Sequence, residues 1–136
     1  MINNAEEEPV GELALRTLAM PANTNVSGDI FGGWLLSQMD IAGGMVAKER
    51  AKGRVVTVAV DRMIFHRPVY VGDAVCCYCE IQKVGRTSIT VKMQAWAIRG
   101  AVHGDRLLVT EGVFTYVVVD EDGRPRIVGD APTPAC

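Results

Sequence analysis

The segment "FGGWLLSQMDIAGG", residues 31–44, contains one formally charged side chain, Asp40. Leu, Met and Ala are frequent from Gly32 to Arg50, and this length and composition predict one long helix. Basic residues occur in its last turns, where they complement the helix dipole, and Gly53 is the predicted C-cap. The sequence therefore predicts a single charged side chain, the Asp40 carboxylate, on the helix before its basic last turns.

One stripe of this helix consists of small residues around Asp40. Steps of four and three residues align Gly33, Ser37, Asp40, Gly44 and Ala47. The remaining positions are largely apolar, which predicts a helix buried on most of its faces. A second backbone or a narrow ligand would approach closely along the small stripe, with Asp40 pointing toward it.

Two roles for Asp40 follow from the cost of burying a carboxylate. It is either a structural group that is hydrogen-bonded in place, or a general base or nucleophile in a narrow channel. Gly32 and Gly33 favour the second role, because free N–H groups at a helix start stabilise a developing oxyanion. Asn25, in the preceding loop, would add a polar contact to the substrate or to an attacking water. No serine lies in a nucleophile elbow, so water activated by Asp40, or direct attack by Asp40, remains.

Strands account for most of the rest of the chain. Residues 1–11 are predicted to be disordered, residues 12–122 to form one domain, and residues 123–136 to form a flexible tail. One long helix among antiparallel strands is an α+β layout. The predicted strands are Glu12–Met20, Val55–Phe65, Ala74–Val84, Ser88–Ile98 and Leu107–Val119. A hairpin at "GRT" is predicted to join Ala74–Val84 to Ser88–Ile98. Apolar and polar residues alternate along Ser88–Ile98, which predicts a half-buried strand.

Composition excludes several classes of protein. The 136 residues carry 14 basic and 16 acidic side chains, a net charge of −2 that offers no basic patch for nucleic acid or an anionic membrane. The chain has no apolar run of bilayer-spanning length, and its acidic amino terminus differs from a secretory signal. A cytosolic location is therefore expected. Cys76, Cys77 and Cys79 lack the paired spacing of zinc ligands and are predicted to be reduced buried thiols, with Cys77 and Cys79 on one strand face.

Several blocks of the sequence resemble a known family. The blocks "LAMPANTNVSGDIFGGWLLSQMDIAGG", "GRVVTVAVD", "RPVYVGDAVCCY" and "VGRTSITV" are similar to the YciA-type acyl-CoA thioesterases of the hotdog superfamily, from Leu15 to Asp120. The resemblance implies an antiparallel sheet wrapped around one long central helix. It also implies hydrolysis of acyl-CoA to free acid and coenzyme A, with broad acyl-chain tolerance and no cofactor other than the coenzyme A of the substrate.

The resemblance also assigns roles to residues and to a partner subunit. It implies a catalytic role for Asp40, an oxyanion-binding N–H at Gly32 and a site residue at Asn25. It further implies a homodimer with the active sites at its interface, and higher assembly as a trimer of dimers.

Other polar residues have both a binding role and a structural alternative. Arg86, with Gly85, Thr87 and Ser88, would hold a coenzyme A phosphate or form a solvated hairpin turn. Arg67 would contact the nucleotide phosphates or lie on the surface. Thr57 would face the thioester or be structural.

Two rival functions remain open. A hotdog hydratase or dehydratase would combine a carboxylate with a histidine, and His66 and His103 lie outside the helix block. An acyl-CoA-binding regulatory module would bind acyl-CoA without turnover.

Overall fold

The protein is an antiparallel sheet with one long helix against it. A computed structural model describes residues 8–100 and 104–129. The sheet order is β1-β3-β4-β5-β2, with every neighbouring pair antiparallel. The elements are β1 (Glu12–Leu18), a short 3-10 turn (Pro21–Asn23), α1 (Gly32–Ala51), β2 (Val55–Phe65), β3 (Ala74–Val84), β4 (Ser88–Arg99) and β5 (Asp105–Val118). The α+β prediction is confirmed, and α1 contacts all five strands.

The strand bounds agree closely with those predicted. Strands β2 and β3 begin and end at the predicted residues, and the β3–β4 hairpin spans the predicted turn. Strand β1 ends at Leu18, two residues early, although the Ala19 N–H still donates to the carbonyl of Asp73 before the 3-10 turn begins at Pro21. Strand β5 begins at Asp105, earlier than predicted, because its pairing with β4 extends to Arg99.

Helix α1 buries one face. Its buried residues are Leu35, Met39, Ala42, Gly43, Ala47 and Ala51. Ile41 and Met45, on another face, are 51% and 45% exposed. The prediction that the helix is buried on most faces is therefore wrong for the single chain, because one sheet covers only one side of it.

The helix ends at Ala51, and its cap is one residue before the predicted cap Gly53. Lys52, with a φ of 53°, takes the left-handed conformation, and its N–H donates to the carbonyl of Lys48. Gly53 instead lies beside Arg126, whose guanidinium an added Cβ would displace. Arg126 in turn donates to the carbonyl of Ala51 at 3.1 Å and satisfies the helix end.

Segments before and after the predicted domain pack against the sheet. The Val10 N–H donates to Gln94 Oε1, which also accepts from Trp96 Nε1. Val128 joins the core, with 6% of its surface exposed. Ordered contacts with the sheet therefore extend beyond the boundaries expected at residues 12 and 122, through a hydrogen bond on one side and core packing on the other.

Strand β4 and the three cysteines of β3 are largely buried. In β4 the half-buried alternation holds over residues 88–92, but residues 93–97 are buried on both faces. Cys77 and Cys79 lie in the core, Cys76 is buried outside it, and all three are free thiols, as predicted.

His103 and Cys136 lie outside the described residues, as do residues 1–7. Within the described part of the chain, no helix has the length and apolar character needed to cross a membrane.

Candidate active site

Asp40 is held between the helix and the sheet by two hydroxyl groups. Thr57 Oγ1, on β2, donates to Asp40 Oδ1 at 2.7 Å. The hydroxyl of Tyr116, on β5, lies 3.1 Å from the same Oδ1 and 3.0 Å from the backbone carbonyl oxygen of Asp40. No side chain within residues 8–100 and 104–129 donates to Oδ2. One carboxylate oxygen is therefore fixed while the other is available to water or substrate.

A cavity of about 370 Å³ opens beside Asp40. Its walls combine apolar side chains with two cations, Lys48 and Arg54. Gly44, from the predicted small stripe, lines the same space and keeps the approach to Asp40 open. The partial exposure of Asp40 fits the sequence prediction of a carboxylate in a channel.

The amino end of α1 supplies unpaired backbone donors. Phe31 is the N-cap and makes no side-chain capping bond to the first turn. In the described chain, the N–H groups of Gly32 and Gly33 have no backbone acceptor. A Cβ on Gly32 would lie 3.3 Å from the ring of Phe65, so glycine relieves crowding at this end. The arrangement suits a carbonyl oxygen that develops negative charge.

Gly32 and Asp40 do not share a cavity in this chain. Gly32 lines a separate cavity of about 230 Å³, together with Phe65, His66 and Arg67. The two positions are eight residues apart on one helix, which at a rise of about 1.5 Å per residue separates them by about 12 Å. A thioester carbonyl cannot contact both groups of the same subunit.

Asn25 is turned toward its own loop. Its Oδ1 accepts from the backbone N–H groups of Ser27, at 2.9 Å, and Asp29, at 3.2 Å. The side chain lines neither the Asp40 cavity nor the Gly32 cavity. Within one subunit, Asn25 is therefore not brought to Asp40.

The predicted phosphate-binding hairpin lies away from the Asp40 cavity. The Gly85 N–H donates to the carbonyl of Ser88, which closes the turn. The backbone carbonyls of Arg86 and Thr87 accept from Val128 and Val118, so the hairpin is tied to the end of β5 and the following segment. The side chain of Arg86 is exposed.

Arg67 is more constrained than a surface residue. Its Nη1 donates to the carbonyl of Leu108 at 2.9 Å, and the side chain lines the Gly32 cavity. His66, beside it, pairs with Glu111 at 2.7 Å. This histidine and carboxylate pair at the Gly32 cavity was not found by sequence reasoning, because Glu111 is remote in sequence.

Tyr116 is the main site residue that sequence reasoning missed. A signal existed, since Phe114, Tyr116 and Val118 alternate toward the core and a buried tyrosine hydroxyl needs a partner. Burial, and then the charge of Asp40, raises the pKa of Tyr116 above its ordinary range. The phenol therefore stays protonated and remains a hydrogen-bond donor.

The sheet, the single helix, the carboxylate and the free N–H groups together define a hotdog protein with an acyl-transfer type of site. Comparison with protein families gives the same class: the thioesterase superfamily model matches residues 27–103. The chain belongs to the thioesterase superfamily.

Individual relatives are similar over nearly their whole length. The acyl-CoA thioester hydrolase YciA of Salmonella typhimurium is 58% identical over 123 residues, which cover 89% of this chain and 92% of the relative. The hexameric thioesterase of Yersinia pestis is 57% identical, with a TM-score of 0.86, over 90% of this chain and 100% of that one. A hexameric broad-specificity acyl-coenzyme A thioesterase is 53% identical, with a TM-score of 0.86, over 91% of this chain and 85% of that one.

Proposed function

We propose that this protein is an acyl-CoA thioesterase that hydrolyses acyl-CoA to a free carboxylic acid and coenzyme A. The observation that carries the proposal is the position of Asp40, which is fixed through one oxygen and open through the other at the wall of a cavity. The similarity to acyl-CoA thioester hydrolases over most of the chain supports the substrate class. Broad acyl-chain tolerance is proposed from the broad-specificity relative.

The chemistry needs a base or nucleophile and an oxyanion donor. In the first route, Asp40 takes a proton from water as the water oxygen bonds to the thioester carbonyl carbon. The Gly32 N–H stabilises the oxyanion, and collapse of the tetrahedral intermediate expels the coenzyme A thiolate, which receives the proton from Asp40. In the second route, Asp40 bonds to the carbonyl carbon directly and expels the thiolate, and water then hydrolyses the anhydride. Neither route requires a metal or a cofactor.

Two subunits are needed to complete one such site. Since Gly32 and Asp40 of one chain are about 12 Å apart, we propose that Asp40 works with Gly32 of the partner subunit. Strand β2 is an edge of the sheet, and its exposed apolar side chains include Val58 and Ile64. Together with Ile41 and Met45 of the helix, they form an apolar surface beside the site that suits a homodimer.

Higher assembly is proposed as a trimer of such dimers. The support is that similar solved thioesterases are hexameric. In this arrangement Asn25, which does not reach Asp40 in its own subunit, would serve a site shared between subunits.

Basic groups are proposed to hold the coenzyme A phosphates. Arg86 is exposed at its hairpin, where Gly85, Thr87 and Ser88 would add backbone and hydroxyl donors. Lys48 and Arg54 line the Asp40 cavity and would attract the anionic part of the same substrate. Arg67 and Gly33 would contact substrate near the helix amino end.

The test is thiol release from a panel of short- and long-chain acyl-CoAs, with and without a chelator. We expect release of coenzyme A across the panel, unaffected by chelation. Hydration of a 2-enoyl-CoA without thiol release would instead support a hydratase, and binding without any turnover would support a regulatory module. Loss of activity on chelation would refute the metal-free chemistry. The cytoplasmic location expected from the sequence stays a prediction.

A further inference from the structure

We propose that Tyr116 is a positioning residue that orients Asp40 for catalysis, and that Gly43 provides the space in which it does so. The inference rests on the proposed thioesterase function and adds to it a residue from the opposite side of the fold. Tyr116 is not a catalytic residue in this proposal, because it acts on the substrate only through Asp40.

The hydroxyl of Tyr116 contacts Asp40 at two points. It lies 3.0 Å from the backbone carbonyl oxygen and 3.1 Å from Oδ1. A phenol has one proton to donate, so the two acceptors share it. Because the acceptors belong to the main chain and the side chain of one residue, the contact restrains the side-chain torsions of Asp40. Tyr116 is itself 1% exposed, and its ring stacks on Phe114. The restraint therefore comes from a rigid part of the sheet.

Both side-chain donors meet the same oxygen. Thr57 approaches Oδ1 from β2 at 2.7 Å, and Tyr116 approaches it from β5. With Oδ1 committed to these two hydroxyls, Oδ2 is the oxygen that remains for proton transfer or attack. Without Tyr116, the carboxylate would keep only Thr57 and would rotate more freely about its torsions.

Gly43 makes the contact possible. A Cβ at this position would overlap the Tyr116 hydroxyl oxygen and lie 2.6 Å from Met93 Cε. At the neighbouring Gly44, the nearest atom to an added Cβ is Tyr116 Cε1 at 3.8 Å, an ordinary van der Waals distance. Gly43, one turn beyond Asp40, is thus the glycine that admits the hydroxyl beneath the helix.

The test compares Tyr116→Phe with Tyr78→Phe, which removes a hydroxyl from another strand tyrosine that makes no contact with Asp40. For Tyr116→Phe we expect kcat to fall about tenfold, the effect of losing one hydrogen bond to a charged group, while KM changes less than twofold. The acid limb of the pH–kcat profile should move to higher pH, because a donor that favours the charged carboxylate is lost. Tyr78→Phe should leave kcat and the acid limb unchanged.

A double variant identifies the path of the effect. In an Asp40→Asn background, Tyr116→Phe should cause no further loss of kcat, since the residue acts through the carboxylate. A further tenfold loss in that background would overturn the proposal, as would wild-type kcat for a folded Tyr116→Phe variant. If Asp40→Asn itself keeps full turnover, the catalytic role of Asp40 fails instead. If the wild-type protein releases no thiol from acyl-CoA, the proposed function fails, so these failures are distinguishable.

A second substitution covers the case in which Tyr116→Phe does not fold. Site-specific incorporation of 3-fluorotyrosine at position 116 keeps the ring and the hydroxyl and makes the hydroxyl a stronger donor. The acid limb should then move to lower pH, opposite to the shift for Tyr116→Phe. An unmoved limb in the fluorinated protein would overturn the proposal.

Discussion

Replacement of Asp40 by asparagine separates its chemical role from its structural one. Asparagine retains Oδ1, so the donors Thr57 and Tyr116 keep an acceptor at 2.7 and 3.1 Å. The substitution removes the negative charge and the basicity of the free oxygen. Asp40→Asn therefore tests proton transfer or attack with little change in shape.

The expected loss is large in kcat and small in stability. A positioned proton-transfer group contributes about two to four orders of magnitude, which corresponds to about 3 to 5.5 kcal/mol of transition-state stabilisation. The free energy of unfolding should change by no more than about 1 kcal/mol, because the hydrogen-bond partners are retained and Asp40 is only partly buried. The affinity for coenzyme A should also change little, since the proposed phosphate contacts are made by basic side chains and not by Asp40.

The assay measures kcat by thiol release, the melting temperature, and the mass in solution by light scattering, all on one preparation. Asp122→Asn is a matched control, because it removes the same charge from an exposed turn and should retain wild-type kcat. A purely structural Asp40 predicts the opposite pattern, with turnover preserved and stability unchanged or higher. A folded, assembled Asp40→Asn protein with near-wild-type turnover would refute the catalytic assignment.

Three further predictions concern packing, assembly and pH. Gly43→Ala should lower the melting temperature by several degrees, because the added Cβ overlaps side chains of the sheet. Gly44→Ala should leave the melting temperature equal or higher, because alanine favours a helix by about 1 kcal/mol. Equal melting temperatures for the two variants would contradict the close packing described at Gly43. Val58→Lys, on the exposed edge strand β2, should dissociate the assembly and reduce activity at least tenfold, and intact oligomers in light scattering would exclude this strand as the interface. Burial raises the pKa of the Cys77 thiol from 9.0 to about 12, so the unfolded chain loses this proton first and stability should fall as pH rises above about 9. Thermal unfolding from pH 7.5 to 10.5 should show a smaller loss for Cys77→Ala, and identical slopes would contradict the assignment.

The strands were predictable because their signals are local. Apolar composition and the flanking turn residues place β2 and β3 at their observed bounds, and the length and composition of the segment after Gly32 predict the helix. The residues that cap the end of the helix were not predictable in the same way. Lys52 takes the left-handed cap, and Arg126, 75 positions beyond Ala51, donates to the carbonyl at the end of the helix.

The candidate site was predictable only in part, for a related reason. Asp40 stands out as the one charged residue between Asp29 and Lys48, and Gly32 as a glycine at a helix start. Their separation and the approach of Tyr116 depend on tertiary structure. Register brings Thr57 opposite Tyr116, and the two strands then present both hydroxyls to Asp40. No short-range pattern in the sequence predicts that these three side chains lie in contact.

The shared site has a consequence that subunit mixing can measure. Gly32 is the first residue of α1 and its predecessor Phe31 is extended, so Gly32→Pro is compatible with the helix start while it removes the proposed oxyanion donor. Gly32→Pro and Asp40→Asn should each be inactive alone, and Gly32→Ala, which keeps the N–H, should retain more activity than Gly32→Pro. If each site takes Asp40 from one subunit and Gly32 from the other, a mixed dimer of the two variants contains one site with neither defect. Random reassociation of equal amounts makes half of the dimers mixed, so activity should return to about one quarter of the wild-type value. If differential tags and light scattering show mixed dimers but no activity returns, both groups act within one chain. The distance of about 12 Å between Gly32 and Asp40 of one chain argues against that result.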